Sequence, residues 1–219
     1  MKYPGLLLPL FCMFAAQSHG QKMTAGYIVN ENGDSLTGHI STMDMKNYRD
    51  SLLFEQDNGG KKVFSTKDCK GFGSFKPAEK YERCAVTMDI SYFDKDMYLI
   101  NADSVKTGTY FLKKIHSGAH VSLYYYKDPV TFKEHFFIRS GDSVEELIQK
   151  YREPTLAEAL RPGRSPNYII VYIFRDQLYK YFDWQHNRKL KLKVDFAEYF
   201  YPKMISIIQE IDSEQSKAK

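Results

Sequence analysis

The chain has 219 residues, with 31 Lys and Arg against 27 Asp and Glu, for a formal net charge of +4. That balance excludes a polybasic nucleic-acid binder or a polybasic membrane tether, so no nucleic-acid partner is expected. The length is enough to bury a sizeable core.

The first twenty residues hold one charge, Lys2, then the apolar run Leu6 to Ala16, then Ser18-His19-Gly20. This is the order of a secretory signal peptide with its cleavage site, so residues 1–20 are expected to be removed and the mature chain to begin at Gln21. A run of about eleven residues is too short for a membrane span, which needs roughly twenty. Phe11 stands before Cys12 where a lipid-modified cysteine has a small residue, which argues against lipidation. No later segment approaches a spanning length, the longest being Tyr168 to Phe174, so no transmembrane segment is expected after cleavage. The expected location is the periplasm or the outer membrane surface, with an envelope protein as partner.

After the leader the chain reads as strands and turns. Gly26-Tyr27-Ile28-Val29 and Ser35 to Ile40 flank Asn30 to Asp34, the mark of a hairpin. Strand-length runs follow at 51–55, 62–65, 71–75, 82–87 and 98–101. The strongest hairpin pairs Thr109 to Ile115 with Val121 to Tyr126 across Ser117-Gly118, and another strand covers Glu134 to Arg139. With 17 Tyr and 15 Phe, aromatic strand faces are expected.

The period then changes. Asp142 or Ser143 can cap a short helix with Glu145 and Glu146 in its first turn, where the helix dipole favours acids. Leu156 to Leu160 reads as a further turn, ended by Arg161-Pro162-Gly163. Ser165-Pro166 then opens a segment whose Ile170, Ile173, Phe174, Leu178, Tyr181 and Phe182 fit a helix, although Tyr168, Ile170, Tyr172 and Phe174 also suit a strand. Arg188-Lys189-Lys191-Lys193 alternates with Leu190 and Leu192 like an amphipathic edge strand. Asp195 and Glu198 resemble a capping box before Phe200, Met204, Ile207, Ile208 and Ile211, with Pro202 kinking or restarting the helix. The fold class is therefore α+β: an antiparallel β-rich domain over 21–142 and a helical C-terminal region over 143–219 packed on it.

Gly26 to Val29 with Gly33 to Ile40, Phe111-Leu112 with Val121 to Tyr126, and the C-terminal helical pair resemble a group of uncharacterised exported proteins common in Bacteroidota. The resemblance implies a Gram-negative envelope setting and no assigned activity, and it carries over no functional residue.

Chemistry-bearing motifs are weak. His116 and His120 flank a turn and His135 lies on the next strand, a candidate zinc set, but finger spacing and HExxH are absent. No serine elbow or phosphate loop is present, no catalytic residue is assigned and no cofactor is expected. Asp94 with Asp96, and Asp142 with Glu145 and Glu146, are neighbouring carboxylates of the kind solvated turns carry. Cys69 and Cys84 can bridge if the fold brings them together, and are otherwise two buried thiols. Tyr124 and Tyr126 share one strand face, where they can offer a stacking platform or cover the sheet. The leading reading is a non-enzymatic exported envelope or interaction protein. The alternatives are a carbohydrate- or peptide-binding module using these tyrosines, and a hydrolase with a dispersed site.

Overall fold

The computed structural model describes residues 22–43, 51–94, 98–160 and 168–217. The leader, Asp96, Arg161-Pro162-Gly163 and Ser165-Pro166 lie outside them. Ten strands join in one antiparallel sheet: β1 (Met23–Asn30), β2 (Ser35–Ser41), β3 (Ser51–Gln56), β4 (Lys61–Ser65), β5 (Cys69–Phe75), β6 (Ala78–Asp89), β9 (Val105–Ser117), β10 (Val121–Lys127), β11 (Glu134–Ser140) and β12 (Ser143–Leu147). Their spatial order is β12-β11-β10-β9-β6-β5-β1-β2-β3-β4. Two small ladders stand apart, β7 (Tyr92–Phe93) with β8 (Leu99–Ile100), and β13 (Lys150–Arg152) with β14 (Ile169–Val171). The helices that lie wholly among the described residues are α1 (Leu156–Ala159), α2 (Ile173–Leu178), α3 (Arg188–Asp195) and α4 (Tyr201–Lys217), with a 3-10 turn at Tyr179–Tyr181 after α2.

Alternation decides where the core sits. Phe111 belongs to a cluster with Ile28, Ile40, Phe54, Phe72 and Tyr81. Its neighbours Tyr110 and Leu112 point the other way, into a cluster with Cys84, Val86, Tyr124 and Phe137. The sheet is thus buried on both faces where β6 and β9 run together. Gly26, Gly71 and Gly73 allow the strands there to approach closely, since a Cβ on any of them would meet a partner-strand carbonyl oxygen at 2.3, 2.4 and 2.6 Å. Beyond β9 the sheet folds back far enough for β12 to touch β6. Buried polar groups close that contact: Glu146 accepts from the Asp89 N–H at 2.7 Å and bonds His135 Nδ1 at 2.6 Å.

The helices cover the face that carries Leu123, Tyr125, Phe136 and Ile138. Met204, Ile207, Ile208 and Ile211 of α4 are buried there at the expected helical spacing, each contributing about 1.5–3 kcal/mol. Pro202 lies in the first turn of α4, where its missing N–H costs nothing. One carboxylate fixes this helix on the sheet: Asp212 accepts from the N–H groups of Ala119, His120 and Val121 at 3.1, 2.8 and 3.1 Å. Gly118 makes room for it, because a Cβ there would sit 2.2 Å from the Asp212 carboxyl.

The α+β class and the hairpins stand as read from sequence, and three local readings change. Residues 143–147 form strand β12 and not a helix, because Glu146 turns inward to His135 while Glu145 turns outward to Tyr181 and Lys180. The sheet therefore runs past residue 142. Residues 169–178 are both things, a short strand and then a helix. The basic segment is helix α3 and not an edge strand, capped by the Asn187 side chain on Leu190 N–H, with Leu190 and Val194 buried one turn apart. Asp195 ends that helix and does not cap the next.

Gly118→Ala and Asp212→Ala are each expected to lower stability by about 1–3 kcal/mol. The double variant should cost clearly less than the two effects added, since both remove one arrangement. Urea unfolding of the four proteins checks this.

Candidate functional site

On β6, residues 80, 82 and 84 face the same side as Leu112 and Lys114 of β9, and the register sets Lys80 directly opposite Lys114. Like charges so placed repel. Glu82 lies between them and gathers four donors: Tyr124 OH at 2.6 Å, Lys80 Nζ at 2.8 Å, Arg139 Nη1 at 2.9 Å and Lys114 Nζ at 3.4 Å. The Arg139 guanidinium also lies 4.7 Å from the centre of the Tyr124 ring and 3.2 Å from Cys84 Sγ. One carboxylate therefore serves three cations.

Burial pushes the Glu82 carboxyl up, but the hydrogen bonds from Lys80 and Tyr124 and the charge of Lys114 outweigh it and hold the group down at about 2. Burial, then the hydrogen bond to Glu82, raises the Tyr124 phenol well above its usual range. Beside this cluster opens a cavity of about 400 Å³, bounded by Tyr27, Val29, Gly71, Lys80, Glu82 and Arg139. Lys70 and Arg83 stand on its rim, and Arg83 is already engaged by Glu31 through both carboxyl oxygens. Lys80, Lys114 and Arg139 thus share Glu82 as counter-charge, and Gly71 presents bare backbone on the cavity wall. Chemically the groove suits a small anion bound by charge-assisted hydrogen bonds.

The residues singled out from sequence fall elsewhere or change role. Tyr124 and Tyr126 do share a face, but they are 0% and 4% exposed, so they offer no stacking platform; they fill the inside of the fold. Tyr124 touches the groove only indirectly, through the hydroxyl that donates to Glu82. The three histidines do not converge. His116 pairs across from Leu123 and His135 from Tyr126, which places them on opposite faces and several residues apart along the hairpin. His116 sits 4.0 Å from Asp212, His120 occupies the turn, and His135 is held by Glu146. Among the described residues no three His, Cys, Asp or Glu side chains are arranged to hold a metal ion.

Cys69 and Cys84 are free and buried. Cys69 packs with Tyr81 while Cys84, three residues further along β6, points to the other face, so no bridge forms. A register shift between Val29 and Asn30, opposite Cys69, sets this orientation. Burial pushes both thiols up to about 11, which makes them poor nucleophiles. Sequence reasoning passed over Lys80, Glu82, Lys114 and Arg139. The only signal was a mixed-charge alternation on β6, which solvated strands also show.

Glu82 has a lower pKa folded than its ordinary 4.5, so its contribution is complete above about pH 4.5 and is lost as pH falls toward 2. Replacing Glu82 by Gln is expected to cost on the order of 2–3 kcal/mol at pH 7. The gap to wild type should shrink steadily below pH 4.5, as followed by denaturant melts at several pH values. Comparison with protein families, characterised proteins and solved structures finds no match for this chain, so the reading of the groove rests on its geometry.

Proposed function

We propose that this is a non-enzymatic exported binding protein of a Gram-negative envelope, which captures an anionic group in the groove beside Glu82. The observation that carries the reading is the three cations, Lys80, Lys114 and Arg139, gathered on one half-buried carboxylate beside a 400 Å³ cavity. An incoming phosphate, sulfate or carboxylate would relieve the repulsion between Lys80 and Lys114 and find planar donors on Arg139. The leader-like residues 1–20 and the resemblance to exported Bacteroidota proteins support the location.

Calorimetric titration with inorganic phosphate and pyrophosphate tests the site. Roughly millimolar or tighter binding is expected, weakening as salt rises. Arg139→Gln should weaken it about tenfold. Glu82→Gln should strengthen it about threefold or more, because it removes the competing carboxylate while leaving every cation. Absence of binding, or an affinity indifferent to both changes, would sink the proposal.

An envelope protein partner is a second reading, favoured by Leu192, Phe196 and Phe200, which are 56%, 75% and 42% exposed at four-residue intervals. Affinity purification from the native envelope, with mass spectrometry of the bait, tests this reading and export together. The expected outcome is an N-terminus at Gln21 and a reproducible partner lost in Phe196→Glu. An intact Met1 would contradict export, and a bait that emerges alone would remove the partner.

A further inference from the structure

At the other end of β11 from Arg139, a second cavity of about 270 Å³ opens beside the loop that joins β10 to β11. That is just under the range of about 300–1,000 Å³ usual for small-molecule sites. Its walls are rings. Phe93 packs edge-on against Tyr151 with centroids 4.8 Å apart and lies 4.4 Å from Tyr168, and Tyr199 and Phe132 complete the enclosure.

The loop is built to hold apolar groups in water. Val130 and Phe132 are 81% and 69% exposed, and Phe132 has a φ of 59°, a left-handed conformation that costs an aromatic residue energy. Asp128 enforces it: its carboxylate accepts from the N–H groups of Val130 and Thr131, its carbonyl accepts from Phe132, and its own N–H donates to Lys133. A strained backbone that keeps a ring in solvent gains little for folding beyond the Lys127 ammonium 5.8 Å from the ring centre. It gains for a ligand, whose binding then needs no ordering of the loop.

The polar groups narrow the ligand. The Lys133 ammonium donates to the carbonyls of Asp89 and Ser91 at 3.0 and 2.8 Å and lies 3.3 Å from an Asp89 carboxyl oxygen, so its charge is answered inside the protein. Glu134 uses Oε1 to accept from Tyr125, and Gln149 donates once, to Tyr151; neither side chain has another hydrogen bond among the described residues. The lining therefore offers ring faces, a carboxylate oxygen and an amide carbonyl, and its lysine, Lys133, is answered; the Lys127 ammonium, outside the lining, lies 5.8 Å from the centre of the Phe132 ring. We propose that it binds a single neutral sugar ring, the C–H face against Phe132 and Tyr151 and the hydroxyls on Gln149 and Glu134. This is independent of the anion groove, and its tyrosine is Tyr151 and not the buried Tyr124 or Tyr126.

Saturation-transfer NMR on the protein purified from the full chain, with glucose, galactose and N-acetylglucosamine as probes and a trialanine amide as competitor, tests it. The expected result is transfer to at least one sugar, strongest at its ring C–H protons. The affinity should weaken about fivefold or more in Phe132→Ala. Gln149→Ala should weaken it too, through loss of a hydroxyl contact in a wall that is otherwise kept. Absence of transfer from all three sugars, transfer that survives both substitutions, or displacement of the sugar by the peptide would each overturn the proposal.

Discussion

The register between β6 and β9 is the constraint on which the rest depends. Ten cross-strand pairs, from Lys80 with Lys114 to Asp89 with Val105, set which side chains of both strands face each core. Because side chains alternate and Lys80, Glu82, Cys84, Tyr110, Leu112 and Lys114 share one face, a slip of one residue in either strand would carry its members of that set to the opposite face, in exchange for Tyr81 or Phe111. The irregularity between Leu123 and Tyr124 in the next pairing preserves the arrangement across the hairpin, so that Tyr124 joins the Glu82 side while Leu123 meets the helices.

The same register concentrates charge. Two lysines face each other across the strands, and the sheet then adds Arg139 from β11. A single carboxylate at position 82 cannot neutralise all three, yet it is ionised over the whole working range because every near neighbour donates to it. The result is a half-solvated site with a fixed excess of positive charge and donors already aimed. In the Asp89, Lys133, His135 and Glu146 network the groups are instead buried and bonded to one another, and its work is to hold β12 against the end of β6. Imbalance beside open space is what distinguishes the proposed binding site from a structural polar core here.

How much of this could be read beforehand depends on distance along the chain. Hairpins were legible because the Asn30 to Asp34 and Ser117-Gly118 turns lie between their own strands. The shared face of Tyr124 and Tyr126 followed from alternation alone, but whether that face was wet depended on Cys84, Tyr110 and Phe137, brought there by pairing. Glu145 and Glu146 hid a strand because both faces carry an acid, erasing the period. Leu190 and Leu192 imitated a strand, while the deciding pair was Leu190 with Val194 and the Asn187 cap. The groove was the least legible of all, since Glu82 and Arg139 are 57 positions apart and meet only once every intervening register is set.

The central claim is that the excess charge around Glu82 forms a specific anion site. The most direct measurement is a phosphate titration of isotope-labelled protein, following the Arg139 side-chain N–H and the Gly71 amide by NMR. Saturable shifts at these two groups, with a common midpoint and little change at exposed lysine-rich strands such as β4, are what the account predicts. Shifts that never saturate, or that spread evenly over the basic surface while Arg139 and Gly71 stay still, would contradict it.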